Sequence, residues 1–424
     1  MGKGNVGQKL DVFLGGRHVG SIESRGPKRY RFTYSDEVLE TSAEGEVVLS
    51  ASLPVQAEGF TPGQSAPFFE GLLPEGVVRE TIARKLQISE DNSFALLEEL
   101  GADVAGAVVV LPGGQAPVPP GSGQIKWLDD AELAQRVADL PSSPLGITVD
   151  SDEGPRLSLG GLQGKLVLTR SPSGKFGLPL HGAPSTHILK PGNDEKYPDI
   201  VANEAFCLRV ARCAKLPAAA AEIIEPTGVP WLLVERFDRI FDQHSQIIRI
   251  HQEDICQARG LREKYEAYGG PSFADTVELL RLVSVQEARD VITLVQATAM
   301  NILLGNSDAH GKNFALLYDE ADGSARLAPL YDIVSTNVYG LEPKLAMPVG
   351  GIELPDQVNA EAWRGLAREA GLGAAVISQV AEITERVVHC ARATREVAQA
   401  EGWHRSVIDE VVSLVEARAA AITS

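Results

Sequence analysis

Residues 305–314 read GNSDAHGKNF, the densest run of chemically able side chains in the sequence. Just upstream, Val291, Leu294, Val295, Ala299, Ile302 and Leu303 recur at helical spacing, and just downstream Phe314 to Tyr318 reads as a strand. An apolar helix that runs straight into Asp, His, Lys and Asn delivers those groups to one loop on a rigid support, which is where function concentrates. Asp308 and Asn313 form D-x-x-x-x-N, the spacing of a protein-kinase catalytic loop. There the Asp accepts the proton of the substrate hydroxyl and the Asn holds a magnesium ion. A polar loop of Asx-type turns carries the same letters, so the loop alone leaves both readings open.

Working outward, Leu327–Val334 reads as a mostly apolar strand with one carboxylate, Asp332, placed 19 positions after Asn313. Such a carboxylate is costly to bury unless a metal or cation offsets it. Kinases carry their second metal-binding Asp a short way beyond the catalytic loop; DFG is absent here and Asp332-Ile333-Val334 takes its place. A cap of the next turn, with Ser335 and Thr336 beside it, is the other reading. Lys190 closes the strand-like run at 186–190 on the face of Ile188. Glu204 follows among Ile200, Val201, Leu208 and Ala211 on the apolar side of the next helix. This is the chain order of the Lys and Glu that orient the α- and β-phosphates in kinases, although a structural ion pair fits equally. SLGGLQGK at 158–165 sets glycines before the strand LVLT, where backbone N–H groups can form an anion nest. Its spacing, and Leu166 in place of Ser or Thr, exclude a Walker A loop, and a hairpin turn is the plain alternative. No two histidines fall at i, i+3 or i+4 on a predicted helix, and G-x-S-x-G is absent, so neither a zinc site nor a serine nucleophile has support.

The remaining sequence frames these groups. The chain has 424 residues, enough for two or three domains, with 39 Lys+Arg against 57 Asp+Glu and a net charge of −18. That balance argues against a broad grip on a nucleic-acid backbone. Hydrophobic residues at 44% and charged residues at 23% are those of a globular protein, and no uninterrupted stretch of about 18 apolar residues occurs. Four cysteines without C-x-x-C spacing predict no disulfide framework and a reducing, cytoplasmic setting. Alternation around Gly15-Gly16 predicts a hairpin, and Arg29–Tyr34 and Glu46–Ser52 predict further strands. Helical periods follow between Phe68 and Leu100, and the Pro/Gly-rich stretch at 112–124 marks a boundary. Asp199 is predicted to cap the helix that follows it, and Ser284-x-x-Glu287 to open the helix that Gly305 ends; residues 359–422 predict about three more.

Taken in order, SLGGLQGK, THILKP (186–191), Asn203-Glu204, VERFDR (234–239), HQEDICQA (251–258), GNSDAHGKNF and LYDIVS (330–335) resemble the HipA family. Its members are serine/threonine kinase toxins of bacterial type II toxin–antitoxin modules. GLLPEG (71–76) and LGADVAGAV (100–108) extend the resemblance toward the N-terminus. It implies an α+β, two-lobed kinase-like fold: a β-rich subdomain over 1–112, a kinase subdomain with the ATP-binding sheet over 125–270, and an all-helical C-terminal lobe over 271–424. It also implies ATP and Mg²⁺ as cofactors, Asp308 as catalytic base, Asn313 and Asp332 as metal ligands, and Lys190, with Glu204, as the phosphate-binding lysine and its partner. Glu235, Arg236 and Phe237 would form the adenine hinge. His310 and Lys312 would face the phosphates, with Tyr331 in the same nucleotide site. Gly160, Gly161, Gln163, Gly164 and Lys165 would cradle phosphate, and Ser158 would be the site of inactivating autophosphorylation. The family commonly has Gln-Glu-Lys where Gln163-Gly164-Lys165 stands, which puts the details of loop locking in doubt. By resemblance the substrate is an aminoacyl-tRNA synthetase, typically the glutamyl enzyme, whose phosphorylation arrests growth and underlies persistence. The partner is a small helix-turn-helix, HipB-like antitoxin, with DNA reached only through it, no membrane, and room for a homodimer within that complex. The alternatives are a catalytically idle corepressor and, more remotely, a lipid or small-molecule kinase. The acidic charge predicts that the isolated protein binds operator DNA poorly.

Overall fold

The computed structural model describes residues 7–26, 29–146, 164–192, 196–226, 228–319 and 323–422. Packing divides the chain into two compact units, each assembled from separate stretches. The first comprises Met1–Lys190, Glu235–Arg262 and Leu317–Gly323. Its opening hairpin pairs Lys9–Leu14 with Arg17–Gly26. Gly15 and Gly16 take φ values of 57° and 87°, which residues with a Cβ adopt only at a cost. The antiparallel sheet runs Arg29–Tyr34, Arg17–Gly26, Lys9–Leu14, Val108–Pro112. Leu10, Val12, Ile22 and Phe32 share one buried cluster with Phe68 and Phe69 of the helix Pro62–Gly71 and with Phe94, Leu96 and Leu97 of the helix Ser93–Leu100. Each such side chain contributes about 1.5–3 kcal/mol by leaving water. In the same unit Gln124–Trp127, Phe176–Leu180, Leu166–Arg170 and His187–Pro191 hydrogen-bond in that order.

The second unit comprises Pro191–Val234, Glu263–Leu316 and Ser324–Ser424. Its helices include Ile200–Cys213, Phe273–Val283, Glu287–Leu304, Ala360–Glu369, Ala375–Glu401 and Ser406–Ala421. Glu287–Leu304 packs on Ala375–Glu401 and Ser406–Ala421, burying Leu294, Val295, Ile302 and Leu303. Gly305, at φ 78°, ends it as the sequence predicts. Buried Arg418 reaches across to this helix end. Its Nη1 donates to the Ile302 carbonyl at 2.8 Å, its Nη2 to Asn337 Oδ1 at 2.9 Å and its Nε to Asp356 Oδ1 at 2.7 Å. Among the described residues no helix is long and apolar enough to cross a membrane.

Local expectations fail where tertiary bonds override them. Glu46–Ser52 forms turns rather than a strand, with a single bridge between Ser50 and Leu53, because Ser50 and Ala51 bond to Glu253 instead of to a sheet partner. The helix Pro62–Gly71 extends further upstream than the period beginning at Phe68 shows. Pro62 sits at its start and Thr61 and Gln64 form its capping box. Asp199 precedes its helix at φ 57° without capping any amide through its side chain. Ser284 closes Phe273–Val283 instead of opening the next helix; its hydroxyl donates to Asp290 and accepts from the Gln286 amide. Cys213 and Cys390 are joined in a disulfide between the helices Ile200–Cys213 and Ala375–Glu401, with Cα atoms 5.7 Å apart. Their separation of 177 residues hides the pairing from the sequence. Cys207 and Cys256 are buried and not disulfide-bonded.

The HQEDICQA motif has a structural role in the first unit. Glu253 accepts from the Ser50 hydroxyl at 2.5 Å, the Tyr318 hydroxyl at 2.5 Å and the Ala51 amide at 3.0 Å. His251 donates from Nε2 to the Leu49 carbonyl at 2.8 Å and stacks on Tyr318. Gln257 Nε2 donates to the Phe68 carbonyl at 2.8 Å, against Gly71, where a Cβ would meet the Gln257 side chain at 2.6 Å. Burial pushes Glu253 up to about 7 despite those donors, and pushes His251 down to about 4. The two carry opposite linkage. The Glu253 contribution is complete below its unfolded value of 4.5 and is lost as pH rises to about 7. The His251 contribution is complete above 6.5 and is lost as pH falls to about 4. They oppose each other between those limits, so Glu253→Gln is expected to unmask the histidine. Unfolding free energy from urea titrations should fall on acidification from pH 6.5 by roughly 1 kcal/mol per pH unit. An identical pH profile in variant and wild type would refute the opposing pair.

Candidate functional site

In the second unit, the helix that Gly305 ends releases the chain into a loop whose backbone is tied down at nearly every step. The Gly305 carbonyl accepts from the amides of Thr336 and Asn337 at 2.9 and 3.0 Å. The Ser307 amide donates to Thr336 Oγ1 at 3.0 Å, and its hydroxyl donates to the Pro343 carbonyl at 2.8 Å. Asn306 Oδ1 accepts from the Asp308 amide at 3.2 Å while its Nδ2 donates to Asn301. With its backbone so held, Asp308 turns its carboxylate to solvent, where Oδ1 accepts from the Tyr265 hydroxyl at 2.7 Å. His310 is buried and packs edge-on against the Tyr265 ring, with centroids 5.2 Å apart. Asn313 closes the turn: its Oδ1 accepts from the His310 amide at 3.1 Å and its Nδ2 donates to Asp332 Oδ2 at 3.4 Å. The Tyr331 hydroxyl donates to the Lys312 carbonyl at 2.6 Å, so Tyr331 sets the backbone on which Lys312 sits.

The structure therefore brings Asp308, His310, Lys312, Asn313, Tyr331 and Asp332 together, although Asp332 arrives there by another route than the sequence predicts. The strand Ala325–Leu327 ends before it. Leu330 then bonds through its amide to Pro217 and through its carbonyl to Ala219, and Leu330, Ile333 and Ser335 are buried while Asp332 is exposed. The apolar pattern read as a strand is that of an irregular segment packed on its neighbours. Asp332 stands at φ 55°, the left-handed region that costs a residue with a Cβ about 1–2 kcal/mol. Asn203 supplies the restraint: from the helix Ile200–Cys213 its Nδ2 donates to the Ser335 carbonyl at 3.0 Å and its Oδ1 accepts from the Ser335 amide at 2.9 Å. Its neighbour Glu204 is 2% exposed. Asn203 was read only as a motif letter; its amide geometry explains why that letter is there.

In the first unit, Lys190 lies on the strand His187–Pro191 and Lys165 directly precedes Leu166–Arg170; both are buried. A Cβ at Gly164 would meet no atom of the described residues within 4 Å. Ser158, Gly160, Gly161 and Gln163 lie outside the described residues. Of the expected hinge, Glu235 is exposed and Phe237 half-buried, whereas Arg236 is turned away into a buried network. Its amide donates to the Thr186 carbonyl at 2.9 Å. Its guanidinium bonds Asp238 Oδ2 at 2.7 Å, the Ser185 hydroxyl at 2.7 Å and the Val104 carbonyl at 3.0 Å. The Arg236 guanidinium is thus engaged within the protein. Asp103, Asp238, Arg239 and Arg249 complete the network, and the Gly106 amide donates to Asp238 at 2.7 Å. Charged letters inside the apolar runs LGADVAGAV and VERFDR are a signal that could have marked this network, which the sequence reading passed over. Tyr265 had no such signal.

Two family models match the chain: the HipA N-terminal domain over residues 10–111 and the HipA-like C-terminal domain over residues 157–395. A Sinorhizobium fredii protein with the provisional kinase name Y4mE is 42% identical, over 92% of this chain and 92% of its own. The serine/threonine-protein kinase toxin HipA of Shewanella oneidensis is 32% identical, over 80% of this chain and 79% of its own. Among solved structures, the toxin–antitoxin complex of HipA, HipB and operator DNA from Shewanella oneidensis MR-1 includes a chain that superposes with a TM-score of 0.80 at 27% identity. The match covers 97% of this chain and 96% of that one.

Proposed function

Because the chain belongs to the HipA family and has its mixed helix-and-sheet, kinase-like fold, we propose that it is an ATP- and Mg²⁺-dependent serine/threonine kinase and the toxin of a toxin–antitoxin pair. The observation that carries the reading is the fixed loop that presents an exposed Asp308 while Asn313 and Asp332 meet at 3.4 Å. Phosphoryl transfer asks for little more than positioning and charge neutralisation. Asp308 is placed to accept the proton of an acceptor hydroxyl.

The donors fit magnesium, a hard cation that takes oxygen ligands and is commonly held by one or two carboxylates together with substrate phosphates. Asp332 would hold it through a carboxylate oxygen, and Asn313 would join as the second ligand once its carboxamide oxygen turns from the His310 amide, since Nδ2 is the atom that faces Asp332 here. Among the described residues no group of three or more His, Cys, Asp and Glu side chains forms an all-protein cage, and a cation shared with nucleotide needs none. Bound there, it would neutralise charge on the transferring phosphate. Lys190 and Glu204 are assigned to the α- and β-phosphates, Glu235, Arg236 and Phe237 to the adenine hinge, and His310 and Lys312 to the phosphate side. Gly164 and Lys165, with Gly160, Gly161 and Gln163, are assigned to the phosphate loop.

The solved relative was captured with HipB and operator DNA, which supports a small DNA-binding antitoxin as partner here. A net charge of −18 leaves the DNA contact to that partner. The acceptor protein is proposed to be an aminoacyl-tRNA synthetase of the glutamyl type, met in the cytoplasm. Phosphorylation of Ser158 would add about −1.5 to −2 charge beside the nucleotide phosphates and so oppose rebinding. Unphosphorylated protein incubated with radiolabelled ATP should label itself at Ser158, and Ser158→Ala should abolish that label without weakening ATP binding. Label found only elsewhere would refute the assignment. A wild type that transfers nothing yet represses its operator with antitoxin would replace the kinase by a corepressor.

A further inference from the structure

We infer that Tyr265 is a positioning residue for the Asp308 base, holding one carboxylate oxygen so that the other faces the acceptor hydroxyl. The inference rests on the kinase reading of Asp308 and deepens it. The Tyr265 hydroxyl donates to Asp308 Oδ1 at 2.7 Å, and the Asp308 carboxylate takes no other hydrogen bond among the described residues. Asp308 is exposed, so nothing else among those bonds fixes how its carboxylate is turned.

The phenol itself is restrained from several sides. The Tyr265 carbonyl accepts from the amides of Tyr268 and Gly270 at 3.0 and 2.9 Å, folding its segment into a tight turn. That turn is fastened to the catalytic loop, because the Gly311 amide donates to the Lys264 carbonyl at 3.2 Å. The Glu266 amide donates to the Ala346 carbonyl at 3.2 Å on the other side. The Tyr265 ring stands edge-on to His310, and Lys264 Nζ lies 5.4 Å from its centroid. A donor so placed removes the rotational freedom of the base before substrate arrives. Preorganisation of this kind acts on the chemical step and not on nucleotide binding.

Tyr265→Phe keeps the ring against His310 and deletes only the hydroxyl. Steady-state phosphorylation of a protein acceptor should show kcat lower by about tenfold. KM for ATP should stay within about twofold and the melting temperature within about 2 °C, because the ring packing is unchanged. An active wild type matched by an equally active variant would overturn the role of Tyr265 and leave the kinase reading standing. A faster variant would overturn it too, marking the phenol as a plug on the base. An inactive wild type would remove the kinase reading with it. The contact also has a readout that needs no turnover. The carboxyl ¹³C resonance of Asp308, assigned by its disappearance in Asp308→Asn, should move at fixed pH between wild type and Tyr265→Phe. An unmoved resonance would refute the contact.

Discussion

Asp308→Ala is expected to lower phosphoryl transfer from radiolabelled ATP by about 10²–10⁴-fold, the range a positioned general base supplies. The fold should be indifferent to the change. Asp308 is exposed, its side chain bonds only Tyr265 among the described residues, and its amide keeps Asn306 Oδ1 as acceptor whatever the side chain. Unfolding free energy should therefore shift by no more than about 0.5 kcal/mol. Asn313→Ala is a different kind of change, because the Asn313 amide group holds both the His310 amide and Asp332. It should lose activity together with loop order. Asp308→Ala thus separates chemistry from architecture, and an Asp308→Ala protein that keeps more than about a third of the wild-type rate would end the assignment of Asp308 as base.

The difference between these two residues also shows what a sequence can disclose. Asp308 and Asn313 were readable because local rules place them: a periodic helix, a glycine stop and a fixed spacing lie within one short stretch. Lys190 and Glu204 were readable as charged letters on apolar faces, and both are buried. Asp332 was singled out as a carboxylate on a strand, and the structure sets it beside Asn313 on no strand at all. Alternation could not distinguish a strand from an irregular segment pinned by Pro217, Ala219 and Asn203. Tyr265 lies in a short loop without periodicity, and its importance comes from a bond to a residue 43 positions away. The Cys213–Cys390 link spans 177 positions. Motif letters such as Asn203, Asp103 and Gln257 were visible as likeness to a family, and only three-dimensional contacts give them a physical task.

Asp103→Ala is expected to lower unfolding free energy by about 3–5 kcal/mol at neutral pH, the cost of breaking a buried pair and leaving its partners uncompensated. The network sets two carboxylates against three guanidiniums. Asp103 Oδ1 lies 2.9 Å from Arg239 and 3.1 Å from Arg249, and its Oδ2 lies 3.7 Å from Arg236. Asp238 Oδ2 lies 2.7 Å from Arg236 and 2.9 Å from Arg239. All but Arg249 have side chains no more than 3% exposed. Burial and the neighbouring Arg236 push Arg239 down to about 10 while Asp238 and Asp103 oppose them, so it is charged at neutral pH. Burial works against ionisation of Asp103, but Arg239, Arg249 and Arg236 outweigh it and hold the carboxyl well below the usual carboxylate range. A depressed value means that its contribution is complete above the unfolded value of 3.8 and is lost as pH falls below it. The variant's deficit should accordingly be constant from pH 5 to 8 in urea titrations and shrink only in stronger acid. Arg249→Ala, at the rim with 14% of its side chain exposed, should cost less, because Arg239 and Arg236 still pair with Asp103. Equal losses from Asp103→Ala and Arg249→Ala would show that packing, not charge balance, sets the stability here. Because Arg236 lies between Glu235 and Phe237 in the segment proposed as the adenine hinge, loosening the network should also raise KM for ATP while sparing the Asp308 loop, an effect of position and not of chemistry.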